Sequence, residues 1–181
     1  MNQTEFPKTF PTIETERLIL RNISQADTAA IFHNFSDPDI AIWFFEQPHT
    51  EIEQTVQIIN QFISEFEQGK GLTWAIALRE NNQCVGTCGY GEIETSERGE
   101  IGFDLAKDYW GKGLMGEALK PIIDYGFSVL KLVKVEAHTY SINLRARHLL
   151  EKVGFQLEKV SEDSHHYFIS KMDWSKSGSR P

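Results

Sequence analysis

The stretch from Leu72 to Ala106 limits the possible folds more than any other. Three extended runs stand in series: LTWAIAL (72–78), CVGTCGYGEI (84–93) and EIGFDLA (100–106). RENNQ and ETSERG, both polar turn sequences, separate them. Links this short join antiparallel neighbours, because a parallel crossover needs about a dozen residues or more. The third run alternates and sets Ile101, Phe103 and Leu105 on one face. The meander therefore has an apolar face to cover. Met115, Ala118, Leu119, Ile122, Ile123, Phe127 and Leu130 then fall on one helical stripe that can cover it. Pro121 sits inside the stripe and predicts a kink, since it removes one helix hydrogen bond.

The flanking segments extend this pattern. RLILRNIS (17–24) alternates as a first strand. Ser24 with Asp27 reads as a helix start, the helix running toward Phe35. SDPDIAIWFFEQPH reads as a loop or broken helix that carries Trp43, Phe44 and Phe45. Thr50 and Glu53 form a capping box ahead of a helical face of Ile52, Val56, Ile59, Phe62, Ile63 and Phe66, with Gly69 as its C-terminal cap. LVKVEAHTY (132–140) predicts a strand with Val133, Val135 and Ala137 inward. A short helix follows from near Asn143 to Gly154, and FQLEKV with HHYFISKMDW predicts a closing hairpin. The order implies an α/β chain, with a mixed sheet and helices on its faces.

Composition narrows the function. The 181 residues suit one domain, and the net charge of −8 opposes broad binding to nucleic acid or anionic membrane. No apolar run approaches a membrane span, and MNQTEFPKTFP has no secretory pattern, so a cytoplasmic protein is expected. Cys84 and Cys88 are expected on one face of a strand as small buried residues. A zinc site needs about four ligands. His165 and His166 have no evident third ligand, so no metal is expected.

Gly111-Lys112-Gly113-Leu114-Met115-Gly116 spells G-x-G-x-x-G. A nucleoside-triphosphate loop would need lysine and a hydroxyl after the last glycine, where Glu117 and Ala118 stand. A dinucleotide turn would need the first glycine at the end of a parallel strand, but Lys107 to Trp110 intervene after Ala106. Glu136, 20 residues past Gly116, is the one point in that reading's favour. A pyrophosphate cradle fits better. The first-turn amides of the following helix have no internal partner, the helix dipole attracts anions, and Lys112 adds charge at the rim.

YWGKGLMGEAL resembles the acyl-CoA loop of the GNAT superfamily of N-acetyltransferases, written Q/R-x-x-G-x-G/A. GEIGFDL resembles that family's fourth strand, and VEAHTYSINLRARHLLEKVGF its fifth strand and following helix. The opening ETERLILRNIS and the closing FISKMDW resemble the branch that includes ribosomal-protein-alanine N-acetyltransferases. The resemblance covers residues 13–174, leaving 1–12 as an extension and 175–181 as a flexible tail. Trp110 and Met115 depart from the loop pattern.

The resemblance implies a mostly antiparallel sheet splayed between strands four and five, with helices on both faces. It also implies acetyl-CoA as donor and direct attack by an amine in a ternary complex. Pantetheine would pair with the backbone of Phe103, Asp104 and Leu105, and the pyrophosphate with residues 111–116. Asn143 matches the family asparagine near the cofactor. Glu100 alternates away from Ile101 and Phe103, and its spacing before the loop resembles that of the family's strand-four glutamate, which makes it the candidate base. The tyrosine that many relatives place seven residues after the asparagine is Leu150 here, and the serine is Ala146. Tyr140 is then the expected acid, with His138 behind it. Trp43, Phe44 and Phe45 would wall the acceptor site, and Arg145 and Arg147 could reach the phosphates. The partner is an amine, either a protein N-terminus or a small molecule; a non-catalytic acyl-CoA-binding module is the rival. A monomer or homodimer is expected.

Overall fold

The computed structural model describes residues 6–45, 47–91, 93 and 97–177. Eight strands form one sheet: β1 (Ile13–Glu14), β2 (Leu18–Asn22), β3 (Leu72–Leu78), β4 (Cys84–Tyr90), β5 (Arg98–Leu105), β6 (Lys134–Tyr140), β7 (Gln156–Val160) and β8 (Ser164–Ser170). Their spatial order is β1-β2-β3-β4-β5-β6-β8-β7. The helices are α1 (Thr28–Phe35), α2 (Pro38–Ala41), α3 (Ile52–Glu67), α4 (Leu114–Ser128), α5 (Leu144–Val153) and α6 (Lys171–Ser177). Among the described residues no helix is long and apolar enough to cross a membrane.

The meander read from the sequence is β3-β4-β5, antiparallel throughout. Beyond it the crossover through α4 delivers β6 parallel to β5, as a helical connection allows. That parallel ladder has three pairs, Arg98 with Lys134, Gly99 with Val135 and Glu100 with Glu136. Past Glu100, β5 stays with β4 while β6 pairs antiparallel with β8 to its end at Tyr140. The sheet thus opens into a wedge between β5 and β6, the splay the resemblance implies.

Each face of the sheet has its own core. On one side Leu119, Ile122 and Ile123 of α4 and Leu150 of α5 are buried against strand residues such as Trp74, Cys88, Ile101 and Val135. A fully buried residue of this size contributes about 1.5–3 kcal/mol by leaving water. Tyr90 pins α4 to the sheet by donating its hydroxyl to the Ile122 carbonyl at 3.0 Å. A Cβ on Gly126 would lie 2.3 Å from that hydroxyl, so glycine permits the contact. On the other side Ile31 and Phe35 of α1 and Ile59 of α3 cover Ala75 and Cys84.

Several local expectations change. Cys84 and Cys88 lie in different cores, not on one face. The register of β4 shifts between Ile76 and Ala77, which face Gly86 and Cys84, so Val85 is an extra residue that reverses the alternation. The α3 cap is Glu51 with Gln54, one residue on from the expected box, and Ile52 is exposed. Val133 precedes β6 and is 60% exposed, while Val135 and Ala137 are buried as expected. Pro121 lies inside α4, as expected. KMDW belongs to α6, not to the closing strand, and α6 reaches Ser177 inside the expected tail; residues 178–181 lie outside those described. Residues 94–96 of the ETSERG turn also lie outside. Of the expected extension, Phe6 and Phe10 stack on Phe66, and the Pro11 carbonyl accepts the Trp74 indole N–H at 2.7 Å.

Candidate active site

The wedge opens a cavity of about 970 Å³. β5, the turn after it, the start of α4, the end of β6 and the start of α5 line it, and Ile40, Trp43 and Phe44 close one side. Among the described residues the β5 backbone beyond Glu100 has no ladder partner on its β6 side. Phe103, Asp104 and Leu105 all line the cavity.

The glycine loop forms one wall. Gly111 (φ 73°) and Gly113 (φ 77°) take left-handed conformations, and Gly113 caps α4. A Cβ on Gly111 would meet nothing within 4 Å, so conformation rather than crowding selects that glycine. No amide from Gly111 to Gly116 has a hydrogen-bond acceptor among the described residues; the first helical bond runs from the Glu117 amide to the Gly113 carbonyl at 3.1 Å. A row of free donors at a helix amino end suits a pyrophosphate. Lys112 is exposed at the rim, 5.2 Å from the Tyr109 ring centroid.

Residues invisible to motif reading hold this loop from behind. Glu117 accepts from Thr15 Oγ1 at 2.6 Å, from the Arg17 amide at 2.8 Å and from Arg17 Nε at 2.7 Å. Arg17 also donates to the Lys112 carbonyl at 2.9 Å. Burial pushes the Glu117 carboxyl up, but the bonds from Thr15 and Arg17 outweigh it and hold it below the usual range. Trp110 also gains a role, since its indole N–H donates to the Leu105 carbonyl at 2.7 Å. The Arg145 guanidinium stacks on its ring at 4.2 Å. Arg145 lines the cavity, whereas Arg147 turns back to the Ser141 carbonyl at 3.0 Å. Asn143 lines the cavity and caps α5, its Oδ1 accepting from the Ala146 amide at 3.1 Å.

The opposite wall is made of side chains. Glu100 is 58% exposed, on the β5 face away from Ile101. His138 Nδ1 stands 3.4 Å from its Oε1. Tyr140 is 49% exposed, with its ring 6.0 Å from that of Trp43. The three aromatics of the α2 loop part company: Trp43 and Phe44 line the cavity, while Phe45 packs against Phe35 at 5.0 Å, toward the core. Lys107 ties this wall to the turn before the glycine loop through Asp37 at 2.8 Å and Asp39 at 2.5 Å.

Asp104 was expected to contribute backbone alone, yet its side chain is buried without a cation. It accepts from the Thr87 hydroxyl, from the Thr87 amide at 3.1 Å and from Asn34 Nδ2 at 3.0 Å. Burial pushes its carboxyl up to about 6 against those bonds. The thiols are inert by the same physics: burial raises Cys84 to about 12 and Cys88 further. No group of three or more His, Cys, Asp or Glu placed to hold a metal occurs among the described residues.

Comparison with known proteins agrees with this geometry. Residues 17–156 match the acetyltransferase (GNAT) domain. The uncharacterized N-acetyltransferase YoaA of Bacillus subtilis is 34% identical over 83% of this chain and 86% of its own. The spermidine N(1)-acetyltransferase of Escherichia coli strain K12 is 25% identical over 83% of this chain and 78% of its own. The crystal structure of the ribosomal-protein-S5-alanine acetyltransferase from Vibrio fischeri superposes with a TM-score of 0.77 at 22% identity, covering 91% of this chain and 98% of that one. The domain match and the identity to YoaA establish the family: the chain belongs to the GNAT acetyltransferases, enzymes that transfer an acetyl group from acetyl-CoA to an amine.

Proposed function

We propose that the wedge is the active site and that its two walls divide the work. The observation that carries this is that Gly111, Gly113, Leu114, Met115 and Gly116, whose amides have no acceptor among the described residues, line the same cavity as Glu100. Acetyl-CoA supplies the acetyl thioester. The amides of 111–116, with Lys112 at the rim, hold its pyrophosphate. The β6-side edge of Phe103, Asp104 and Leu105, where Trp110 already holds the Leu105 carbonyl, aligns the pantetheine as an added strand would be aligned. Asn143 lies beside that path, with its amide nitrogen left over from capping. Glu100 accepts the proton of the incoming ammonium, directly or through water, and the neutral amine attacks the carbonyl. Tyr140 is the phenol at the cavity end of β6 and supplies the proton for the leaving sulfur. Trp43 and Phe44 wall the acceptor, and Phe45 supports them from behind.

The acceptor is a primary amine. A protein N-terminus is our first reading, because both ends of the chain resemble the ribosomal-protein-alanine branch. A small polyamine-like acceptor is the second. The Trp43–Tyr140 pair beside an exposed carboxylate suits an alkylammonium, whose charge is attracted by aromatic faces. A panel of N-terminal peptides and small amines with a thiol-release readout tests both. Peptide turnover with inert polyamines supports the first; the reverse supports the second. No thiol release above background with any amine would end both readings. Glu100→Gln is expected to lower kcat roughly 10²-fold and leave acetyl-CoA affinity unchanged.

A further inference from the structure

Two imidazoles at the acceptor wall have no part in that scheme. His138 and His166 face each other directly across β6 and β8. Their ring centroids are 4.0 Å apart. His138 Nδ1 stands 3.4 Å from Glu100 Oε1, and His166 Nε2 stands 3.4 Å from Ser164 Oγ. All four residues line the cavity. The carboxylate registered opposite it across the seam differs: Glu136 is held by Lys134 at 2.7 Å, with Arg98 at 4.0 Å. Glu100 therefore has an imidazole as its ion-pair partner among the described residues, where Glu136 has an ammonium and a guanidinium. An ammonium beside a carboxylate only compensates charge, whereas an imidazole exchanges protons under ordinary conditions.

We propose that Glu100 and His138 act as one proton-accepting pair, with His166 and Ser164 fixing the plane of the His138 ring. The proposal rests on the reading that this site acetylates a primary amine. The ammonium gives one proton to Glu100, which passes it across the Oε1–Nδ1 contact to His138 and is ready again as a carboxylate. The neutral amine then forms its bond to the carbonyl carbon while the carbon–sulfur bond breaks. Tyr140 gives its proton to the departing thiolate, and the second nitrogen proton restores the phenol. The imidazolium left on His138, which is 43% exposed, returns its proton to water. One proton thus leaves per acetyl group transferred. His138 acts through Glu100 and is a positioning and relay residue.

The test uses the full chain and the best amine from the panel. His138→Gln keeps a polar group beside Glu100 but carries no exchangeable proton charge; His138→Ala leaves room for a free imidazole. Both are expected to lose roughly 10²-fold in kcat while acetyl-CoA affinity stays within about twofold. Added imidazole should restore part of the rate to His138→Ala and none to His138→Gln. His166→Ala should show a smaller loss of the same kind. A His138→Gln enzyme as fast as wild type overturns the pair, as does a folded His138→Ala enzyme that imidazole leaves unchanged. If the wild-type chain acetylates no amine, the acetyltransfer reading falls and the pair with it. If wild type and His138→Gln turn over equally well, the pair alone falls.

Discussion

The two walls of the wedge are built from different materials. The proposed cofactor wall is backbone: six residues whose amides have no acceptor among the described residues, two left-handed glycines, and a brace of Thr15, Arg17 and Glu117 behind them. The acceptor wall is side chain: Glu100, His138, Tyr140, Trp43 and Phe44, all at least partly open to solvent. Amides recognise the same anion whatever side chains they carry, so the first wall can serve one unchanging ligand. The second wall changes its chemistry with each substitution, which suits the half of the site that selects an acceptor. Lys107, bonded to Asp37 and Asp39, is the tie between the two.

The sharpest way to break this contrast is Gly113→Glu. A residue with a β-carbon and a negative charge at φ 77° strains the loop and repels the pyrophosphate. Acetyl-CoA affinity measured by calorimetry should fall by more than about 10²-fold, with the fold retained by circular dichroism. Unchanged affinity would remove the cradle from the account. Arg17→Ala comes next. It strips the Lys112 carbonyl and Glu117 of their guanidinium, and acetyl-CoA should bind about tenfold more weakly. Melting should fall by roughly 2–4 °C for each kcal/mol lost. Because the Glu117 carboxyl is held low in the fold, its contribution is present above the ordinary carboxylate range and disappears as pH falls through its own value. The melting difference between Arg17→Ala and wild type should therefore shrink in acid.

A third substitution sharpens the other side. Trp43→Ala should raise the amine KM by about threefold to tenfold and leave acetyl-CoA affinity alone. An equal loss for both ligands would mean that the walls do not act separately. The smallest effect on turnover is expected from Asp104→Asn, beneath both walls. The Asp104 carboxyl sits near 6 in the fold against 3.8 ordinarily. Its favourable share is complete below the ordinary value and is lost as pH rises to about 6, a cost of at most about 3 kcal/mol above that. An asparagine there, with the Asn34 amide turned to suit it, should flatten thermal stability between pH 4 and 6. An unchanged slope would show that Asp104 does not titrate in that range.

Much of this was legible in the chain because it depends on period and order. The meander, the α4 stripe and the Asn143 cap follow from local rules and stand where they were read. What failed did so for lack of long-range information. The alternation of β4 breaks at Val85 because of its pairing with β3, so the two cysteines part. Val133 continues the strand's rhythm but lies before its first rung, with its amide bonded to the Glu97 carbonyl at 3.0 Å. Arg17 reaches Glu117 across 100 positions, and no motif joins them. Trp110 read as a departure from the family loop, yet its indole bond to Leu105 and its stack with Arg145 give it a supporting role.

The three-pair seam between β5 and β6 bears on how the protein assembles. From β3 to β5 the ladders join strands linked by short turns, whereas β2 meets β3 only across the long insertion of α1 to α3. Contacts of low sequence separation form fast. β6, β7 and β8 make a second unit with its own rungs, and the seam that joins them must wait for α4 to cross over. Amide exchange should find the protein opening along that line, with Arg98 to Glu100 and Lys134 to Glu136 losing protection before the centres of β3 and β4. The line along which the proposed site opens would then also be the line along which the sheet first comes apart.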